Sequence, residues 1–256
     1  MIQHEHLQPD RYAMLPMEPL RIMARTYHDT HIVAYDAIHF DGILAAAMVM
    51  DATEGCGLPD SGPEPYLIPL PLECVWSAPD SAGRSAGLPL WAASCLHPVS
   101  ASHQDVILMH KRAHTGELTK SARGNYSITT KTGRWMERRT ATPTIVAERW
   151  EAYAIGNAGE IRRLLALISH VGKRRGAGLG WVREWVVEPA DPGGELVRDG
   201  VLARPIPNDA ARILSSQPAP NTATHLGWTP PYWHPATQAA GWSAGTPLQT
   251  AEAICT

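Results

Sequence analysis

The chain has 256 residues, 44% hydrophobic and 18% charged, which suits one elaborated globular domain or two small ones with a sizeable core. No stretch approaches the roughly 20 apolar residues of a membrane span; the longest run is Ile43–Met50. The start, with His4, Glu5 and His6 before Pro9 and Asp10, lacks the basic residues and apolar run of a signal peptide, so a cytoplasmic protein without a membrane partner is expected.

The formal net charge of −3 hides a strong division. Between positions 111 and 183 stand fifteen basic residues: Lys111, Arg112, Lys120, Arg123, Lys131, Arg134, Arg138, Arg139, Arg149, Arg162, Arg163, Lys173, Arg174, Arg175 and Arg183. Against five acids they leave that segment at +10, and the rest, with seven basic and twenty acidic residues, at −13. Such polarisation is the electrostatic footprint of a polyanion binder. The alternative is a solvated basic face that docks an acidic protein. Arginine far outnumbers lysine, which suits phosphate contact and base stacking, although a GC-rich genome produces the same excess.

In chain order, residues 1–18 form an irregular tail punctuated by Pro9 and Pro16. Alternation of Leu20, Ile22 and Ala24 predicts a strand over Leu20–Tyr27, opening a domain that runs from 19 to 189. Asp41 is placed to cap a helix through Ile43–Ala52, apolar on most faces and so buried. The Gly-, Pro- and Ser-rich stretch 55–89 reads as a long inserted loop or edge-strand region. Strands follow at Leu90–Cys95 and Val106–His110. Residues 111–143 read as an extended basic hairpin or arm, with Tyr126 among its apolar contacts. The four cysteines, Cys56, Cys74, Cys95 and Cys255, form no C-x-x-C pair, so free thiols are expected, with no metal site.

The next segment is the most legible. A strand at Arg149–Ile155 meets Gly156, and Asn157 caps a helix with Glu160 as its capping-box partner. Ile161, Leu164, Leu165, Ile168 and Val171 make a core stripe up to a C-cap at Gly172. Lys173, Arg174 and Arg175 then lead into Gly176-Ala177-Gly178-Leu179-Gly180 and a strand at Trp181–Val187. Dinucleotide-binding glycines follow a strand and open a helix. Here they follow a helix and precede a strand, and no G-x-x-x-x-G-K-[ST] run exists, so no NAD, ATP or other cofactor is expected. Glycines let backbone approach a ligand closely, their N–H groups can face phosphates, and the adjacent cations add charge. Trp181 and Trp185 are candidate stacking surfaces. The Pro- and Gly-rich residues 190–256 read as an irregular extension packed on the core rather than a second core.

A helix, a basic glycine-rich loop and a strand late in a ferredoxin-like unit resemble the RAMP superfamily of CRISPR proteins. The stretch Tyr35-Asp36-Ala37-Ile38-His39-Phe40-Asp41-Gly42-Ile43-Leu44-Ala45 resembles the type IV subunit related to five-prime-handle-binding backbone proteins. The likeness covers about 20–52 and 149–207, including Leu202-Ala203-Arg204-Pro205-Ile206-Pro207. It implies an α+β, ferredoxin-like core and a non-catalytic subunit holding the 5′ handle of a CRISPR RNA at one end of the backbone filament. A backbone subunit, a large-subunit-like protein and target DNA would be further partners. The RNA-binding residues so implied are Lys111, Arg112, Lys120, Arg123, Tyr126, Lys131, Arg134, Arg138 and Arg139 on the arm, with Lys173, Arg174, Arg175, Gly176, Gly178 and Gly180 at the turn.

The same superfamily contains endoribonucleases, which need a general acid or base near the 2′-hydroxyl. His28, His31, His39, His110 and His114 are the candidates, and no spacing picks out a pair. His110 and His114 suit zinc only on a helix, and a third ligand is lacking. Non-catalytic RNA binding is therefore the preferred reading, ahead of RNA processing and of a protein-only scaffold.

Overall fold

The computed structural model describes residues 7–8, 10–27, 30–33, 37–55, 57–58, 65–79, 87–99, 102–111, 136–219 and 222–249. Its fold is α+β, with mostly antiparallel sheets and few helices. Strands β1 (Glu18–Thr26), β2 (His31–Ile32) and β3 (Ile38–His39) precede helix α1 (Phe40–Thr53). Then come β4 (Cys74–Ser77), β5 (Pro89–Trp91), β6 (Cys95–Pro98), β7 (His103–Lys111), β8 (Arg138–Val146) and β9 (Arg149–Gly156). Helix α2 (Ala158–Leu165) and β10 (Val182–Pro189) complete the central unit.

The main sheet has the order β10-β1-β9-β6-β3. Leu20, Ile22 and Ala24 of β1 lie opposite Ala154, Ala152 and Trp150 of β9, and all six are buried in one apolar cluster with Phe40, Leu44 and Met48 of α1 and Ile161, Leu164 and Leu165 of α2. Both helices thus cover one face of the sheet. Alternation sends Arg21, Met23 and Arg25 to the opposite face. Part of that face is crossed by the chain after β10: Arg198 lies over the Tyr153 ring at 4.9 Å, and a Cβ on Gly194 would come within 2.8 Å of the ring.

Helix α2 starts as its sequence dictates. Asn157 Oδ1 accepts from the Glu160 N–H at 3.0 Å, and its Nδ2 donates to the Pro16 carbonyl. The return bond of a capping box is not made. The Asn157 N–H donates to Pro71 O instead, and the Glu160 carboxylate takes Arg163 at 3.1 Å. The helix ends at Leu165, earlier than the stripe suggests, because Leu167 and Ile168 donate to Leu164 and Leu165 in tighter turns; Ile168 and Val171 stay buried without being helical. Asn157→Ala is expected to destabilise the fold by about 1–2 kcal/mol in urea unfolding. Asn157→Asp, which keeps the capping oxygen, should lose less.

The C-terminal segment is more ordered than its composition suggests. Strands β11 (Val197–Arg198) and β12 (Val201–Leu202) pair, and β13 (Ile206–Pro207), β15 (Gln238–Trp242) and β14 (Thr224–Gly227) form a small sheet in that order. With the hairpin β4–β5, this region buries its own cluster: Trp76, Leu88, Leu90, Leu202, Ile206, Leu214 and Trp228. A second apolar centre therefore stands where sequence reading expects only an extension on the first. Among the described residues, no helix is long and apolar enough to cross a membrane.

Candidate nucleic-acid interface

The glycine-rich turn is an excursion closed at its base. Val171 N donates to Gly180 O, His170 bridges Trp181, and Lys173 N donates to Val33 O. Lys173, Arg174, Arg175, Gly176 and Gly178 are all exposed, around a short 3-10 turn at Arg175–Ala177. The glycines are not equivalent. Gly180 has φ +77° and lies so close to the Val171 carbonyl that no side chain fits, whereas Gly178 (φ +82°) and Gly176 face open space. Close packing explains Gly180, backbone conformation explains Gly178, and nothing steric requires Gly176.

Strand β2 fastens this turn to the basic hairpin. His31 and Ile32 pair with Val146 and Ile145 of β8, while His31 O accepts from Gly180 N and Val33 bridges Lys173. Beyond β8, β7 pairs residue by residue from His103↔Val146 to Lys111↔Arg138. The arm is thus rooted in a two-stranded ribbon that carries Lys111, Arg138 and Arg139, all exposed, at its far end. Arg112, Lys120, Arg123, Tyr126, Lys131 and Arg134 lie outside the described residues.

Internal bonds reduce the free charge of this segment. Arg162 donates to Val187 O, Arg163 pairs with Asp51 and Glu160, and Arg149 pairs with Glu151. Among the described residues, Arg174 and Arg175 carry no ion pair.

The two candidate tryptophans separate. Trp185 packs against the core and donates its indole N–H to Ile168 O at 2.8 Å. Trp181 is 51% exposed and lies against Tyr27 at 4.6 Å between ring centroids, with His170 stacked at 6.2 Å. The cause is a bulge. Arg25 pairs with Glu184 but Thr26 with Val182, which leaves Arg183 as an extra residue and breaks the alternation between the tryptophans. Tyr27 has no sequence signal of its own; only the pairing of β1 with β10 brings it to Trp181.

The two stretches that carry the family likeness meet in the interior. Arg204 Nη2 donates to Asp41 Oδ2 at 2.9 Å, and each side chain is 1% exposed. The guanidinium also reaches the carbonyls of Trp91, Ala93 and Trp228, and Tyr232 Oη donates to Asp41 Oδ1 at 2.6 Å. Asp41 sits within the first turn of α1 rather than at its N-cap: its Oδ1 accepts the Gly42 N–H at 2.9 Å, a first-turn donor, while Arg204 and Tyr232 take the rest of the carboxylate. His39 stands at the N-cap of α1, where its side chain makes no capping bond; its Nδ1 lies 3.4 Å from Cys95 Sγ and its ring stacks on Tyr232 at 3.8 Å. Burial lowers the Arg204 pKa, but the Asp41 charge more than compensates, so the guanidinium stays charged. Beside it, burial pushes the Cys95 thiol up to about 12, an inert thiol. The buried Asp41–Arg204 pair ties the two stretches together in the interior.

The described residues thus form an antiparallel α+β domain that carries a basic loop and a basic ribbon fastened side by side. The model of the family CRISPR type IV associated protein Csf3 matches residues 18–242, and the chain belongs to that family. The match spans the hairpin and most of the C-terminal segment as well as the two stretches noted above. Membership makes the protein a subunit of a type IV CRISPR effector complex. A comparison with curated proteins gives no match.

Proposed function

We propose that the protein is a non-catalytic, RAMP-type subunit that holds the 5′ handle of the guide RNA and caps the backbone filament of the complex. The observation that carries this reading is the joint placement of Lys173, Arg174 and Arg175 on an exposed turn, with that turn fastened through β2 to the root of the basic hairpin. Three adjacent cations suit a phosphate backbone, and the exposed ring of Trp181 at the base of the turn suits an unstacked base.

The connectivity supports the superfamily. In chain order β1, α1, β6, β9, α2 and β10 alternate as in a ferredoxin-like unit, and the four strands stand fourth, first, third, second across the sheet. The ribbon supports the capping role, since Val106 (55% exposed) and Leu108 (48%) leave an apolar strip on its edge strand for a neighbouring subunit. The reading assigns no cleavage step. His31 Nδ1 lies 3.0 Å from Thr144 Oγ1.

The test is titration of repeat-derived 5′-handle RNA across a salt series. Changing Lys173, Arg174 and Arg175 together to alanine is expected to weaken binding and to reduce the slope of log K against log salt by up to about 3 in magnitude. An unchanged slope removes the turn from the site. Absence of binding by the unaltered protein favours the scaffold reading. Cleavage of the handle RNA that is lost on His31→Ala would establish the nuclease instead.

A further inference from the structure

The end of the main sheet next to the basic turn holds a second concentration of cationic groups, in a separate cleft. A cavity of about 380 Å³ is lined by Arg25 and Thr26 at the end of β1, Glu148 and Arg149 at the start of β9, and Arg183 in β10. Two of its three guanidinium groups are held in place by carboxylates that do not line the cleft. Arg25 Nη1 meets Glu184 Oε2 at 3.0 Å, and Arg149 Nε meets the buried Glu151 at 3.3 Å. Each arginine keeps N–H groups beyond those used, and a guanidinium oriented by a carboxylate loses less freedom when it binds a second anion. Arg183 is the bulge residue, exposed and without an ion pair among the described residues.

The aromatic pair adjoins this cleft in the chain. Tyr27 follows Thr26, and Trp181 stands two residues before Arg183. Both rings are exposed and in mutual contact, an arrangement that burial does not account for. Nucleotides present an anion and an aromatic face a few ångströms apart, and an arginine cleft beside an exposed indole matches both parts.

From this juxtaposition we propose that the cleft of Arg25, Arg149 and Arg183 takes the phosphate of one single-stranded RNA nucleotide whose base stacks on Trp181. This rests on the RNA-binding reading above and extends it to residues outside the basic turn and the hairpin. It also gives the bulge a role, since the extra residue Arg183 breaks the alternation that would otherwise place Trp181 on the same face as Trp185. The path of the RNA would then run from the turn, over Trp181, to the sheet end.

The experiment uses fluorescein-labelled 5′-handle RNA and the full chain. Trp181→Ala and Arg183→Ala are each expected to weaken binding about tenfold. Their salt responses should differ. Arg183→Ala reduces the magnitude of the slope by about 1, Trp181→Ala leaves it unchanged, and Trp181→Phe restores most of the affinity. In the unaltered protein, 4-thiouridine RNA should cross-link to Tyr27 or Trp181, a readout independent of how well the variants fold. If both alanine variants bind like the unaltered chain while the Lys173–Arg175 triple variant is weakened, the cleft is not a nucleotide site and the handle reading stands. Cross-links confined to other peptides overturn the cleft equally. If the unaltered protein binds no RNA, both fall together.

Discussion

Arg204→Ala is expected to lower the unfolding free energy by about 3–5 kcal/mol, measured by urea denaturation. The loss does not come from attraction between two charges alone. Bringing Asp41 and Arg204 out of water is expensive, and an isosteric apolar pair in their place could be nearly as stable. The penalty arises because the mutation removes one partner and leaves the other. Asp41, 1% exposed in the intact fold, keeps among the described residues the Gly42 N–H and the Tyr232 hydroxyl to stabilise its charge. The carbonyls of Trp91, Ala93 and Trp228 lose a donor at the same time. Because Trp228 belongs to the second apolar cluster and Phe40, beside Asp41, to the first, the mutation also loosens the join between them. The combined variant Asp41→Leu with Arg204→Met should recover a substantial part of the loss, since no uncompensated charge is left buried. Arg204→Ala within about 1 kcal/mol of the unaltered protein would show that solvent reaches Asp41 and that the interior is not sealed as described.

That pair also marks the limit of what the sequence discloses. Asp41 stands where a helix begins, and local chemistry offers capping as the natural role. The true partner lies 163 residues on, and no spacing rule reaches that far. Local signals elsewhere were sufficient. The alternation in β1, the strand at β9 and the asparagine cap of α2 hold because each depends on residues within one turn or one strand. The C-terminal segment failed for the opposite reason. Its strands run from two to five residues, too short for any period to emerge, and they are stable only because Trp228 and Ile206 bury against the β4–β5 hairpin. The candidate site shows the same division. Lys173 to Gly180 stood out as a charged glycine-rich run, and so did Trp181. The bulge at Arg183 did not, nor did Tyr27, because both are consequences of how β1 pairs with β10.

The glycines of the turn permit a sharper test, because position alone does not distinguish them. Gly180→Ala should destabilise the fold by about 2–5 kcal/mol, combining a left-handed backbone that L-residues resist with a steric collision. A Cβ there would run into the Val171 carbonyl oxygen, far inside contact distance, and the obstacle is backbone, which cannot rotate away. Relief requires breaking the Val171 N–Gly180 O bond, the Gly180 N–His31 O bond, or both. Those bonds close the turn and fasten it to β2, so RNA affinity should fall along with stability. Gly176→Ala meets nothing within 4 Å and lies outside the left-handed region, so stability should change by no more than about 0.5 kcal/mol. The informative result is the RNA affinity of this second variant. If it falls while the fold is unaffected, Gly176 is glycine because RNA comes close to its backbone. If it holds, the residue merely connects. Should Gly180→Ala prove as harmless as Gly176→Ala, the turn is not anchored at Val171, and its cations have no fixed relation to Trp181.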